Sequence, residues 1–289
     1  MNTKVLVTGA TGATGSSVIE KLLELNVPVR ALVHKIDERT AHLTEQGVEI
    51  VEGDLSNFNS VSAALKGIGS AYYMYPIQVD GLVEGTAYFA QAAVDEGLTH
   101  IVNMSQVAAR RDAKSNASQN HWIAERLLDR TGIPVTHVRP TFFAEWLKYF
   151  AKEIKENNRI VLPFGEARYA PIAGEDSGRV IASILANPEG HAGKIYPLYG
   201  STELTQYEIA EILSGELSRK ISYVAADIDK FAELMKARYT PYFIQHVESV
   251  AQDSRDGVFS GTNDFVEKIS GSKPLHIVDY IRKNIELFK

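Results

Sequence analysis

Short, nearly unbroken apolar runs alternate with longer segments of helical spacing through the first half of the chain. Lys4 to Thr8, Val29 to Val33, Glu49 to Glu52, Ala71 to Tyr75, His100 to Met104 and Thr136 to Arg139 have strand length, are rich in Val and Ile, and lack the polar alternation of a sheet with one wet face. Between them, Val18-Ile19-x-x-Leu22-Leu23 and Ala87-x-x-Ala90-x-x-Ala93-Val94 place apolar residues on one helical face. Gly97 and Gly132-Ile133-Pro134 read as helix stops. This βαβ repetition predicts an α/β fold, a doubly wound parallel sheet covered by helices on both faces. Beyond about residue 150 the rhythm loosens. A strand from Arg159 to Pro163, helices from Asp176 to Ala186 and Thr205 to Leu217, and a final helix from His276 to Phe288 suggest a smaller C-terminal lobe. The expected division is 1–150 for the sheet domain and 151–289 for the lobe, with some later segments returning to the core sheet.

Composition narrows the function classes. An apolar fraction of 45% and a charged fraction of 23% describe an ordinary globular chain of 289 residues. The net charge of −6 and the lack of a long basic run disfavour a nucleic-acid partner. With no cysteine there is no thiolate chemistry and no cysteine-bound zinc, and the scattered histidines do not have metal-ligand spacing, so no metal is expected. No apolar run approaches 18 residues, so no membrane span is expected, and the cytoplasm is the expected location.

The first strand runs directly into Gly9-Ala10-Thr11-Gly12-Ala13-Thr14-Gly15, and helical spacing follows. At such a strand-to-helix turn, glycine permits the tight bend, a close approach of pyrophosphate to the backbone, and helix-to-sheet packing. The helix N-terminus adds free N–H groups and partial positive charge. Gly9, Thr11, Gly12, Ala13, Thr14 and Gly15 are therefore the expected dinucleotide-binding residues of a Rossmann-like domain. No Gly-Lys-Ser or Gly-Lys-Thr follows, which disfavours a nucleotide triphosphatase. The second strand ends in His34-Lys35, where a carboxylate selective for NAD(H) would ordinarily stand; Lys35, with Arg39 nearby, favours the 2′-phosphate of NADP(H). Gly53-Asp54-Leu55 after the third strand places Asp54 and Leu55 to flank the adenine, or Asp54 to cap a helix starting near Asn57.

Ligand clefts in such sheets lie beyond the carboxyl ends of the strands. Tyr75 and Pro76 after the fourth strand, and Phe142, Phe143 and Trp146 after the sixth, are positioned to meet the cofactor and a planar substrate respectively, or to pack the second lobe. The basic cluster Arg110-Arg111-Asp112-Ala113-Lys114 reads as a solvated loop.

Thr8-Gly9-Ala10-Thr11-Gly12, the Gly53-Asp54 step, Ile133-Pro134-Val135-Thr136-His137-Val138-Arg139-Pro140 and Tyr196-x-Leu198-x-Gly200-x-x-x-Leu204-Thr205 together resemble the NmrA-like group of atypical short-chain dehydrogenases/reductases, from residue 3 to about 225. The resemblance implies an NADP-binding core with a small substrate lobe, and one of two activities: NAD(P)H-dependent reduction of quinones, azo dyes or triphenylmethane dyes, or non-catalytic sensing of the dinucleotide by a regulator that acts through a protein partner. Ser105 matches the group's Ser position. The positions of the usual proton-donating Tyr and its partner Lys fall on Ala117 and His121. His121 is thus the candidate catalytic residue and a candidate ribose ligand. Hydride transfer to a small planar acceptor would then rest chiefly on positioning.

Overall fold

The computed structural model describes residues 4–236 and 239–289. In chain order its elements are β1 (Val5–Val7), α1 (Ala13–Glu24), β2 (Val29–Val33), α2 (Glu38–Glu45), β3 (Glu49–Glu52), α3 (Phe58–Leu65), β4 (Ser70–Tyr73), α4 (Leu82–Asp95), β5 (His100–Met104), α5 (Asn116–Asp129) and β6 (Val135–Pro140). The second half continues with α6 (Trp146–Tyr149), α7 (Ala151–Asn157), β7 (Arg159–Leu162), α8 (Gly174–Ala186), β8 (Ile195–Leu198), α9 (Gln206–Leu217), β9 (Ser222–Ala225), α10 (Ile228–Met235), α11 (Pro241–Arg255), α12 (Phe265–Ser270) and α13 (Ile277–Lys283).

Seven strands form one sheet in the order β3-β2-β1-β4-β5-β6-β8, every neighbouring pair parallel. The order reverses between β1 and β4, which opens a crevice at the carboxyl ends of these two strands, where α/β sheets bind ligands. The apolar runs are continuous because both faces are covered. Val5, Val7, Ala31, Val33, Tyr72, Val102 and Val138 point to one layer with α1 and α8, and Leu6, Leu32, Ala71, Tyr73 and Ile101 point to the other with α3 and α4. The period of two along each strand thus fills two separate cores.

The second lobe has its own core, in which Phe142, Leu147, Ile154, Ile160, Leu213, Val250 and Ile281 gather around a two-stranded parallel pair, β7 and β9. Two elements after residue 150 belong to the large sheet instead: β8 is its seventh strand, paired with β6, and α8 packs along α1. Gly178 permits that packing, since a Cβ there would lie 2.5 Å from the Cβ of Ser17.

Several boundaries depart from the sequence reading. β4 ends at Tyr73, leaving Tyr75 in the following loop. The final helix is α13 followed by a separate 3-10 turn, Ile285–Leu287, with the His276 ring accepting from the Val278 N–H at its start. Asp54 does not cap α3; Asn57 does, its Oδ1 accepting from the Ser60 N–H at 3.0 Å. No helix among the described residues is long and apolar enough to cross a membrane.

Candidate dinucleotide and acceptor site

The switch-point crevice is built first by a staple between its two walls. The Thr8 hydroxyl accepts from the Met74 N–H at 2.7 Å and donates to the Met74 carbonyl at 3.0 Å, tying the end of β1 to the end of β4. Gly9 then turns the chain with φ +60°, a conformation side-chain-bearing residues rarely adopt. The Gly12 N–H closes the turn on the Gly9 carbonyl at 3.0 Å. Gly15 lies so close beneath that carbonyl that a Cβ would sit 2.1 Å from its oxygen. The turn is held by backbone alone, and α1 begins from Gly12 with no side-chain cap and no acid in its first turn. Its first amides keep their positive potential for an external anion.

A second helix N-terminus stands beside it, and it is already occupied. A Cβ on Gly174, the first residue of α8, would lie 3.0 Å from the Ala13 Cβ. The Gly174 N–H donates to both carboxylate oxygens of Glu145, each at 3.1 Å. Burial raises the pKa of Glu145. Of the two adjacent helix starts, only that of α1 is left for a ligand.

Past β2, His34 and Lys35 are exposed. His34 Nδ1 lies 3.9 Å from Asp54 Oδ2, and Lys35 makes no hydrogen bond or ion pair among the described residues. Arg39 is committed to Asp37, its Nη2 2.6 Å from Oδ2. Asp54 accepts from the N–H and the hydroxyl of Ser56, both at 2.8 Å, and these bonds lower its pKa. Leu55 packs against the core beneath it. Tyr75 lies against α4, where a Cβ on Gly85 would meet its ring at 2.7 Å and the Leu55 carbonyl at 3.3 Å, and its hydroxyl donates to the Asp80 carbonyl at 3.1 Å. Pro76 is exposed beside it.

Beyond β5 the chain stays paired with β6, through Ser105 N–H to the Val138 carbonyl at 2.8 Å and Val107 N–H to the Pro140 carbonyl at 3.2 Å. The Ser105 hydroxyl is buried and has no partner. His121, on α5, is buried as well; burial, then the neighbouring His246 and Arg139, push its pKa down to about 3. It is therefore neutral near pH 7 and available as a hydrogen-bonding imidazole rather than a proton carrier. Phe142 turns into the lobe core, stacked on Phe259 with ring centres 4.2 Å apart. Phe143 and Trp146 are half-buried and, with Leu162, Tyr169, Pro171 and Gln206, line a cavity of about 10 Å³, room for about one water. The larger groove, about 400 Å³ beside Arg168 and Arg255, is lined entirely by lobe residues.

The crevice thus collects the glycine turn, Tyr75, Pro76, Ser105 and the chain leading to Phe143 at neighbouring strand ends, with His34, Lys35, Asp54 and Leu55 following β2 and β3. The sequence did not single out Gln106, Glu145 or α11. Gln106 adjoins Ser105 and could have been flagged by that alone. The contacts of α11 join residues more than a hundred positions apart, and no local pattern announces them. The loop at Arg110 is also not simply solvated: Arg110 makes a bidentate pair with Asp253 of α11, at 2.6 and 3.0 Å.

The chain belongs to the NmrA-like family, whose model matches residues 1–277. Over 98% of its length it is 28% identical to the NAD(P)H azoreductase of Xenophilus azovorans, 99% of which is covered. The triphenylmethane reductase of Citrobacter sp., solved in complex with NADP(H), superimposes with a TM-score of 0.84 at 25% identity, over 96% of this chain and 99% of that one. NmrA, a negative transcriptional regulator solved with NADP, shares the fold with a TM-score of 0.81 at 18% identity, over 99% of this chain and 96% of that one.

Proposed function

We propose that this protein is an NAD(P)H-dependent reductase, with NADPH preferred, that passes hydride directly to a planar conjugated acceptor such as a quinone, an azo dye or a triphenylmethane dye. The observation that carries the reading is the bare N-terminus of α1. It is uncapped, free of acids and set behind a turn that only glycine fits, beside a helix start already neutralised by Glu145. That arrangement suits a pyrophosphate.

In this reading Gly9, Thr11, Gly12, Ala13, Thr14 and Gly15 hold the pyrophosphate. His34 and the unpaired Lys35 meet the 2′-phosphate, and Asp54, Leu55, Tyr75 and Pro76 border the adenosine. Ser105 and the neutral imidazole of His121 serve the nicotinamide end. The bound dihydronicotinamide supplies hydride; the protein supplies alignment, and an apolar wall from Phe143 and Trp146, with Phe142 supporting it from the lobe core, excludes water from the reacting faces. With Ala117 and His121 at the positions where the wider group carries Tyr and Lys, the acceptor must be one that needs little acid assistance, which favours electron-poor quinones and dyes. The narrowness of the aromatic cavity favours a second reading, a dinucleotide-sensing regulator that works through a protein partner and admits no acceptor.

The two readings separate in one experiment. NADPH and NADH binding are measured by nucleotide fluorescence, and NADPH oxidation is then followed with a panel of quinones, azo dyes and triphenylmethane dyes. The reductase reading expects tighter binding of NADPH than NADH and turnover of at least one acceptor class. Tight binding with no turnover on any acceptor assigns the protein to the regulators.

A further inference from the structure

The helices α1 and α8 run side by side in the same direction. A Cβ on Gly174 would lie 3.0 Å from the Ala13 Cβ, and one on Gly178, a turn further along, 2.5 Å from the Ser17 Cβ. Both N-termini therefore end level at the crevice, and a pyrophosphate seated on α1 also faces the start of α8. The anionic group already at that start is Glu145. The same Gly174 Cβ would lie 3.2 Å from Glu145 Oε1, which sets the carboxylate within about 6 Å of the Ala13 side chain, close enough for charges to couple. The neighbouring charges are engaged elsewhere. Glu175 holds Lys283 of α13, and Glu20 of α1 acts on the same lysine. Asp176 holds Arg179 and accepts the Leu275 N–H at 2.9 Å. Burial, then Glu145 and Glu175, raise the pKa of the Tyr280 phenol of α13, which stays neutral. Lys148 of α6 favours the ionised carboxylate, but it is exposed, its Nζ 5.9 Å from the centre of the Tyr280 ring. Burial outweighs it and raises the pKa of Glu145 before any ligand arrives.

We infer that Glu145 is a proton-binding member of the cofactor site: it takes a proton from solvent when the dinucleotide binds, returns it when the dinucleotide leaves, and so loosens the grip on the cofactor as the pH rises. The inference rests on the start of α1 as the pyrophosphate site, which the reductase and the regulator readings share. Two like charges at this separation favour the state in which one is discharged. After protonation the carboxyl keeps an oxygen for the Gly174 N–H, so the start of α8 is undisturbed. Protonation also removes the charge that offsets the α8 dipole, and the pyrophosphate then faces two positive helix ends in place of one. The bound state holds the proton to a higher pH than the empty one. Affinity is therefore full below the midpoint of the empty site and falls until the midpoint of the bound one. A separation of about one pH unit between the two corresponds to about tenfold in affinity.

The test titrates NADP+, which survives acid, into wild type and Glu145→Gln by calorimetry between pH 5 and pH 8, in buffers of different ionisation heat so that the protons taken up are counted. Glutamine keeps an oxygen for the Gly174 N–H and loses the charge. The 2′-phosphate and His34 titrate in both proteins, so the difference between the two belongs to Glu145. Wild type is expected to take up more protons than Glu145→Gln, and the variant to bind about tenfold more tightly at pH 8, an advantage that shrinks toward pH 5. A purely structural cap would instead leave the variant weaker at every pH. Should the variant misfold by thermal melting, wild type labelled with carbon-13 at its glutamate carboxyls serves alone: one carboxyl is expected to titrate about one pH unit higher with NADP+ than without. The inference is overturned if the variant binds no more tightly than wild type at pH 8, if both proteins take up the same number of protons, or if no glutamate carboxyl moves on binding. A protein that binds no dinucleotide at any pH overturns the cofactor reading and the inference with it, whereas tight binding with no proton traced to Glu145 overturns the inference alone.

Discussion

At the scale of single residues, the glycine turn contains two positions that look alike in sequence and differ in the fold. A Cβ on Gly12 would come no nearer than 3.3 Å to the Gly9 carbonyl, whereas one on Gly15 would be 2.1 Å away, against rigid backbone. Gly15→Ala must therefore displace α1 from the turn, a strain that typically costs about 1–3 kcal/mol. Gly12→Val asks the Gly9 carbonyl to give by a few tenths of an ångström and fills the space a pyrophosphate would occupy. The expected outcome is a clear drop in melting temperature for Gly15→Ala, and a smaller drop with at least tenfold weaker NADPH binding for Gly12→Val. Unchanged affinity in Gly12→Val would remove the turn from the cofactor site. The turn was legible from sequence because its signal is local: three glycines in seven residues between a strand and a helix. Glu145 was not, because a carboxylate facing a helix start 29 residues away leaves no spacing to read.

At the scale of elements, β1, β2, β4, β5 and β6 were legible because burial on both faces writes itself as nearly uninterrupted apolar runs, and β3, partly exposed at one edge of the sheet, because it carries the adjacent pair Ile50-Val51. The strands that escaped are short, partly exposed and without two adjacent β-branched residues. β8 is Ile195-Tyr196-Pro197-Leu198, exposed at Ile195, and a proline normally argues against a strand; it is tolerated here because β8 is the outermost strand and pairs only with β6. β9 is short and mostly exposed. α11 is the element whose placement matters most to the site, and it is fixed by contacts remote in sequence. Ser115 Oγ lies 2.7 Å from His246 Nδ1, Gln245 receives the Asn116 N–H at 3.0 Å and donates to the Lys114 carbonyl at 2.7 Å, and Arg110 grips Asp253. Together they clamp α11 over the start of α5 and the loop that follows Gln106. Asp253→Ala leaves the Arg110 guanidinium without its carboxylate and is expected to destabilise by about 2 kcal/mol. The effect should be regional: amide exchange should quicken in α11 and residues 106–116 and stay slow in β1, β4 and β5. Uniform acceleration across the sheet would show that the clamp supports the whole fold rather than one wall of the site.

At the scale of the whole molecule, these clamps place neutral imidazoles where protons are unwelcome, and this gives the stability of the protein a pH dependence. Burial lowers the pKa of His246 to about 4 and, aided by His246 and Arg139, that of His121 to about 3, against an ordinary value of 6.5. The unfolded chain takes up a proton at each of these histidines as the pH falls through about 6.5, while the folded chain does not until about 4 or below. The unfolded state thus binds more protons in that window, and stability is full above it and lost on acidification. Each histidine forfeits about 1.4 kcal/mol per pH unit, so the pair could remove as much as about 4 kcal/mol between pH 6.5 and 5. Glu145 and Asp176 act in the opposite sense, because burial raises their pKa values and the folded state takes up their protons first. The net expectation is a loss of about 2 kcal/mol between pH 7 and pH 5, read as a lower urea midpoint at constant slope. Burial also lowers the pKa of His100 to about 4, so His246→Gln should flatten the histidine part of the profile by about a third while lowering stability at pH 7, since it loses the Ser115 contact but removes one of three such protonation sites. A urea midpoint that does not move between pH 7 and pH 5 would mean that these histidines are hydrated in solution, and that α11 does not seal the polar end of β5.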